Sequence, residues 1–164
     1  MTFPGDNSFP FMLIYRNKSG SLQGRHNGRI TTDNMDNFYT VTPIAAYEDH
    51  RGAVVYPFRD LGVDPGEMKS MHVASIAPGE VRGNHLHPHQ EEYVLVTGVE
   101  VSAILISMDG ERAVIAIGPE PMLVTIRPGV AHAFKNEGDF PCFLTCWYSG
   151  GGENVVSVPR NVVD

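Results

Sequence analysis

From Tyr39 onward the apolar residues fall in short β-branched or aromatic groups broken by glycine and proline, with no long helical stripe. The groups are Tyr39-Thr40-Val41-Thr42, Val54-Val55-Tyr56, Met71 to Ile76, Tyr93 to Thr97, Val101 to Ser107, Ala113 to Ile117, Leu123 to Ile126 and Cys142 to Tyr148. Many short strands at near-regular spacing predict an all-β barrel or sandwich. Seventeen glycines and twelve prolines are spread so evenly that the longest stretch free of both is residues 29–42, which leaves little room for long helices. Asp109-Gly110 lies between two apolar groups. Because glycine accepts the positive φ that tight hairpin turns demand, it should fold residues 100–108 onto 111–117. Segments 60–66, 77–79 and 150–152 read as loops. Residues 1–36 are different: polar, rich in Asn, Gly and Arg, with an apolar island from Phe9 to Tyr15. They are expected to form an extended N-terminal arm, followed by a single β-barrel domain over 37–164.

A length of 164 residues and an apolar fraction of 42% suit one domain with one sizeable core. No run approaches the roughly 18 apolar residues of a spanning helix. The stretch Met1-Thr2-Phe3-Pro4-Gly5-Asp6 lacks the charged-then-apolar pattern of a signal peptide, so a cytoplasmic location is expected, with no membrane partner. The net charge of −7 should repel a nucleic-acid backbone, which argues against nucleic-acid binding. A small anionic substrate would need local basic groups, and Arg59, Lys69, Arg82 and Arg127 are near the residues of interest. Cys142 and Cys146, four apart in one strand, would sit about 13 Å apart, beyond the roughly 7 Å Cα limit of a disulfide. They should be reduced and packed as small apolar side chains.

The candidate chemistry lies in Gly79-Glu80-Val81-Arg82-Gly83-Asn84-His85-Leu86-His87-Pro88-His89-Gln90-Glu91. In a strand alternate side chains share a face, so His85 and His87 project together with Cα atoms about 6 to 7 Å apart. Two ring nitrogens can then meet one ion at about 2.0–2.1 Å. Pro88 should end that strand and Glu91 begin the next, bringing its carboxylate back beside the histidines. His132 follows the Pro128-Gly129 turn and can join only if the sheet closes or curves strongly. The expected ligand set is therefore His85, His87, Glu91 and His132. His89 is cut off by Pro88, and Glu92 is out of phase with Glu91, so both are expected outside the ligand shell.

These residues resemble the cupin superfamily. Gly79, five residues, His85-x-His87, three residues, Glu91, six residues and Gly98 resemble its first motif, and Pro128-Gly129-x-x-His132-x-x-x-Asn136 its second, with Arg127 standing where the family usually has proline. The resemblance spans about residues 68–148. It implies a cupin-type double-stranded β-helix, a jelly-roll barrel, often assembled as a homodimer, with the arm either packed on its own barrel or laid across the partner. Three imidazoles and a carboxylate leave two open positions on one divalent transition metal, with Zn, Fe, Mn, Ni and Cu all compatible.

The fold alone does not fix the reaction. Asp49-His50-Arg51-Gly52 and Arg82-Gly83-Asn84-His85 resemble paired segments of cupins that epimerise or isomerise nucleotide-linked keto-deoxysugars, the second being similar to the metal-holding cupin of bifunctional capsular-polysaccharide enzymes. On that reading the metal polarises a sugar carbonyl, Tyr93 and His72 carry protons, and Arg82 holds a phosphate. The alternatives are a non-haem iron-type dioxygenase with a pocket lined by Phe134, Trp147 and Tyr148, and a non-catalytic small-molecule-binding cupin.

Overall fold

Every apolar group named above from Tyr39 onward lies on or against a β-strand in the computed structural model, which describes residues 38–61, 64–149 and 154–163. The expected arm at 1–36 and the glycine loop at 150–152 lie outside the described residues. Among those residues the strands are β1 Tyr39–Pro43, β2 Ala46–Asp49, β3 Gly52–Val55, β4 Met68–Ile76, β5 Val81–Leu86, β6 Glu91–Thr97, β7 Val101–Ile106, β8 Arg112–Ile117, β9 Met122–Ile126, β10 Ala131–Asn136, β11 Cys142–Ser149 and β12 Val158–Pro159. The helical elements are short. One turn of α-helix, α1, covers Pro57–Leu61, and a 3-10 turn covers Pro65–Glu67. Part of the loop expected at 60–66 is therefore helical, because Pro57 and Pro65 each supply the fixed φ that starts a helical turn. No helix of the described residues is long and apolar enough to cross a membrane.

Two five-stranded antiparallel sheets make the jelly roll, in the orders β1-β9-β6-β11-β4 and β12-β5-β10-β7-β8, with β2 and β3 a separate hairpin. The turn predicted at Asp109-Gly110 is present. Ile106 pairs with Arg112, and Gly110 takes φ +83°. The main core lies between the sheets, where Val94, Val96, Val124 and Leu144 meet Ala103, Leu105, Ile115 and Phe134. A second cluster covers the outer face of the first sheet, with Leu95, Leu123 and Trp147 packed under Ile44 and Phe58. Strand β6 is consequently buried on both faces, and alternation of apolar and polar residues cannot reveal which face looks into the barrel.

One irregularity positions the site. His132 of β10 pairs with His85 of β5, but the next residue, Ala133, pairs with Gly83, so Asn84 is an extra residue in the ladder. Its φ of +57° is tolerable for asparagine. This bulge changes the phase of the strand. Arg82 and His85, three apart, would face opposite sides of a regular strand, yet both line the same cavity. Gly83 makes the close approach feasible: a Cβ there would lie 2.7 Å from the His132 carbonyl oxygen and 2.8 Å from Ala133 Cα, at a φ of +107°.

Replacing Gly83 by alanine should therefore push β5 off β10. The expected loss of stability is about 2–4 kcal/mol, from backbone overlap together with positive-φ strain. The denaturant midpoint of Gly83→Ala against wild type measures it, and an unchanged midpoint would contradict the close approach.

Candidate metal centre

Three strands deliver imidazole or carboxylate groups to one end of the barrel interior. His85 comes from β5, His87 from the residue just after it, Glu92 from β6 and His132 from β10. One donor atom from each lies within 4.8 Å of all the others. The rings of His85 and His132 are 4.7 Å apart, those of His85 and His87 4.9 Å, and those of His87 and His132 5.7 Å.

Backbone carbonyls select which nitrogen faces inward. A carbonyl only accepts, so the Nδ1 atom 2.7 Å from Val156 O in His87, and that 3.1 Å from Val130 O in His132, must carry the proton. The Nε2 lone pairs of those two rings are then free to bind a cation. His85 likewise makes a hydrogen bond to the Gly83 backbone. His132 Nε2 lies 2.8 Å and His87 Nε2 3.5 Å from Glu92 Oε2. His85 Nε2, His87 Nε2 and Glu92 Oε2 are buried without a hydrogen-bond partner among the described residues. Orphaned buried acceptors are costly. Three nitrogens and one carboxylate oxygen around a common point suit a divalent transition metal.

The carboxylate is Glu92, which corrects the expectation of Glu91. Glu92 is 4% exposed and sits in β6 beside Val94 and Val96, whose side chains enter the main core. Glu91 falls on the opposite face of β6. There it accepts a hydrogen bond from Tyr93, whose ring stacks on Trp147 at 5.7 Å. Tyr93 is thus also turned away from the cavity, and so is Trp147, expected as a pocket-lining residue. The motif spacing selects Glu91, but the loop through Pro88 shifts the phase by one residue and brings Glu92 to the cluster instead.

A cavity of 230 Å³ opens beside the cluster and is lined by His72, Arg82, His85, Glu92, His132 and Tyr148, with Ala74, Phe134, Leu144 and Cys146 on its apolar side. Of the expected proton carriers and anion holder, His72 and Arg82 do face this cavity. Tyr148 is the residue that sequence reasoning placed only as apolar lining. It sits opposite Glu92 in the β11–β6 ladder, makes a hydrogen bond to Glu92, and packs on His87 at 4.8 Å and His72 at 5.9 Å. The Asp49 and Arg51 pair stays away: the two side chains bind each other at the exposed β2–β3 turn. Arg59 is likewise occupied outside, by Asp60 and over the rings of Tyr47 and Tyr56.

Burial dominates the electrostatics. It lowers the pKa of His85 from 6.5 to about 4, reinforced by the neighbouring His132 and His87, and it also lowers that of His87. Desolvation pushes Glu92 up, but the His132, His87 and His85 rings together outweigh it, so the carboxylate form is favoured on balance. The Cys146 thiol is pushed up to about 12 by burial and by Glu92, which keeps it a protonated apolar liner. Tyr148 is raised for the same two reasons, burial first.

Residues 72–148 match the family model described as a cupin domain. Solved structures with the same fold include a dTDP-sugar isomerase from Desulfovibrio desulfuricans, at 15% identity and a TM-score of 0.65 over 76% of this chain and 84% of that one. The sugar 3,4-ketoisomerase QdtA of Thermoanaerobacterium thermosaccharolyticum, solved with TDP, is 18% identical with a TM-score of 0.57 over 70% and 82% of the two chains. The capsular polysaccharide assembling protein CapF of Staphylococcus aureus is 19% identical with a TM-score of 0.53, and the match spans 73% of this chain but 33% of that one. At these identities the likeness is one of fold. No curated protein sequence matches the chain significantly.

Two outcomes are expected from this geometry. Glu92→Gln should lower the affinity for Zn(II) or Co(II) at least about tenfold, since loss of even an outer partner of a ligand costs about 10–100-fold; Glu91→Gln should leave it unchanged, and metal analysis of both variants decides between the two carboxylates. The second outcome concerns acid. Below the ordinary histidine value of 6.5 the unfolded chain takes up protons that buried His85 refuses until about pH 4. Metal-free protein should therefore lose stability as pH falls from about 6.5 toward 4, with Glu92 adding to the loss at the acid end. Urea midpoints across that range test it, and a flat profile would count against burial of neutral imidazoles.

Proposed function

We propose that this member of the cupin superfamily is a metal-dependent isomerase or epimerase, assembled as a homodimer, that acts on a keto-sugar in free or nucleotide-linked form. The observation that carries the reading is the cluster of His85, His87, Glu92 and His132, three of which, His85, Glu92 and His132, line a cavity that also presents His72, Arg82 and Tyr148. Two of the similar structures are named as sugar isomerases, which supports the same reading.

A divalent metal held by the three histidines and Glu92 would supply Lewis acidity to a substrate carbonyl. The chain's own residues supply the rest. Tyr148, flanked by His87 and His72, donates its one hydroxyl proton to Glu92; with Glu92 engaged by a metal, that proton would be free for an oxygen that gains negative charge as the α-proton leaves. His72 is exposed and stacks on Tyr148, so it can pass a proton between the cavity and solvent. Arg82 is fixed by donation from its Nε to Ser75 O, which ties β5 to the other sheet and leaves the terminal guanidinium edge to meet an anionic group. Tyr148 replaces Tyr93 in this account. The apolar side formed by Phe134, Leu144 and Ala74 would exclude water from a sugar ring bound in the cavity.

Incubation of metal-loaded protein with nucleotide-linked 4-keto-6-deoxy sugars in D₂O should incorporate deuterium next to the carbonyl. Tyr148→Phe, assayed at saturating metal, should slow that exchange by roughly 100-fold or more. Oxygen uptake by the iron-loaded protein without any exchange would instead favour the dioxygenase. Neither activity across both substrate classes, with metal bound, would leave a binding protein.

A further inference from the structure

The three histidines are not oriented in the same way. His132 gives its Nδ1 proton to Val130, two residues away, and His85 bonds the Gly83 backbone, also two residues away. His87 is held from a distance of 69 residues, by the carbonyl of Val156 at 2.7 Å. Val156 belongs to the C-terminal segment 154–163, which runs along the open edge of β5, and β12 within it pairs Val158 with Leu86 and Pro159 with His85.

Two side chains clasp this segment. Gln90, 1% exposed, donates to Asn154 O at 3.1 Å and accepts from Val156 N at 3.5 Å, so it brackets the carbonyl that orients His87. Asn84, the bulged residue, accepts from Val162 N and Val163 N at 3.0 Å each and donates to Val163 O at 3.2 Å, while its own carbonyl accepts from Arg160 N. Val162 is buried against Ile104, Ala131 and Ala133 on the outer face of the second sheet. The segment therefore has an apolar anchor at one end, a two-residue ladder in the middle and the His87 contact at the other.

We infer that residues 154–163 act as a strap that sets His87 as a metal ligand, with Gln90 and Asn84 as positioning residues, so that strap docking and metal retention are thermodynamically linked. The inference rests on the metal-binding reading of the site. With the strap undocked, His87 loses the acceptor that fixes its tautomer and ring angle, and one of the four donors becomes disordered. Linkage makes the effect reciprocal: whatever affinity the docked strap adds to metal binding, metal adds to strap docking.

The experiment pairs Zn(II) affinity, by competition with a chromophoric chelator, with hydrogen exchange of backbone amides in 154–163, with and without Zn(II). Asn84→Gly removes the side-chain clasp while glycine keeps the positive φ comfortably, and Gln90→Ala removes the bracket around Val156. Each should weaken Zn(II) binding by about 10–100-fold, with Gln90→Glu, which keeps the acceptor for Val156 N, falling in between. Ile117→Ala, a cavity in the core on β8, should lower thermal stability without changing affinity, which separates positioning from general destabilisation. In wild type, Zn(II) should slow exchange of the strap amides, and in Asn84→Gly that protection should shrink. Should Gln90→Ala fail to fold, Asn84→Gly decides alone. Wild-type binding with unchanged affinity in the variants, or strap exchange indifferent to Zn(II), would overturn this inference and leave the metal centre standing. A wild-type chain that binds no metal would remove both.

Discussion

Four lone-pair-bearing atoms crowded within 4.8 Å at the buried end of a barrel are the constraint on which the rest of this structure turns. Two imidazole nitrogens and a carboxylate oxygen there have no hydrogen-bond partner among the described residues. Burying such groups unpaired costs on the order of 1–3 kcal/mol each, and more for a charge. Hydrophobic packing alone would have replaced them. The surrounding shell instead keeps them aimed inward: carbonyls of Val130 and Val156 tie down the Nδ1 atoms of His132 and His87, and burial holds His85 neutral to about pH 4. A cation at the common point would turn that cost into binding free energy, because the donor atoms are already deprotonated and oriented.

Strand register is the means by which a sequence with ligands 47 residues apart achieves this. His132 is placed opposite His85 by the β10–β5 ladder, and Tyr148 opposite Glu92 by the β11–β6 ladder. Both neighbourhoods contain an irregularity. Asn84 is the extra residue in one, and the other has a shift between Trp147 and Tyr148 where β11 meets β4. Bulges twist a strand and change the face its residues address. Here the first gives the cavity both Arg82 and His85, and it turns the Asn84 side chain outward to the C-terminal strap.

That same feature explains what was legible in the sequence. The strand groups, the Asp109-Gly110 hairpin and the three histidines could all be read, because alternation, turn chemistry and an imidazole motif are local signals. Glu92 could not be told from Glu91. Telling them apart needs the phase of β6, and Val94 and Leu95 are both buried, one in the main core and the other under Trp147. The error carried to Tyr93, which shares the face of Glu91, and hid Tyr148, whose place follows only from cross-strand pairing. A short stretch such as Asp49-x-Arg51-Gly52 shows the converse. Its residues bind each other in a turn, an arrangement that Asp and Gly favour wherever a chain reverses. The strap was invisible for a different reason: β12 has two residues and no apolar alternation.

The size of the cavity constrains what the site can treat as substrate. At 230 Å³ it falls below the roughly 300–1,000 Å³ of pockets that enclose drug-sized ligands, so a sugar ring fits the interior better than a whole nucleotide-linked sugar does. Any nucleotide would then lie at the mouth, near the exposed His72 and Arg82. The chain's charge of −7 disfavours a phosphate-bearing ligand at long range, which leaves recognition to short-range contacts. A divalent ion beside Glu92, together with the Arg82 guanidinium, would reverse the sign locally. On the proposed function, metal loading would thus do two things at once, activating a substrate carbonyl and making the mouth of an acidic protein attractive to an anion.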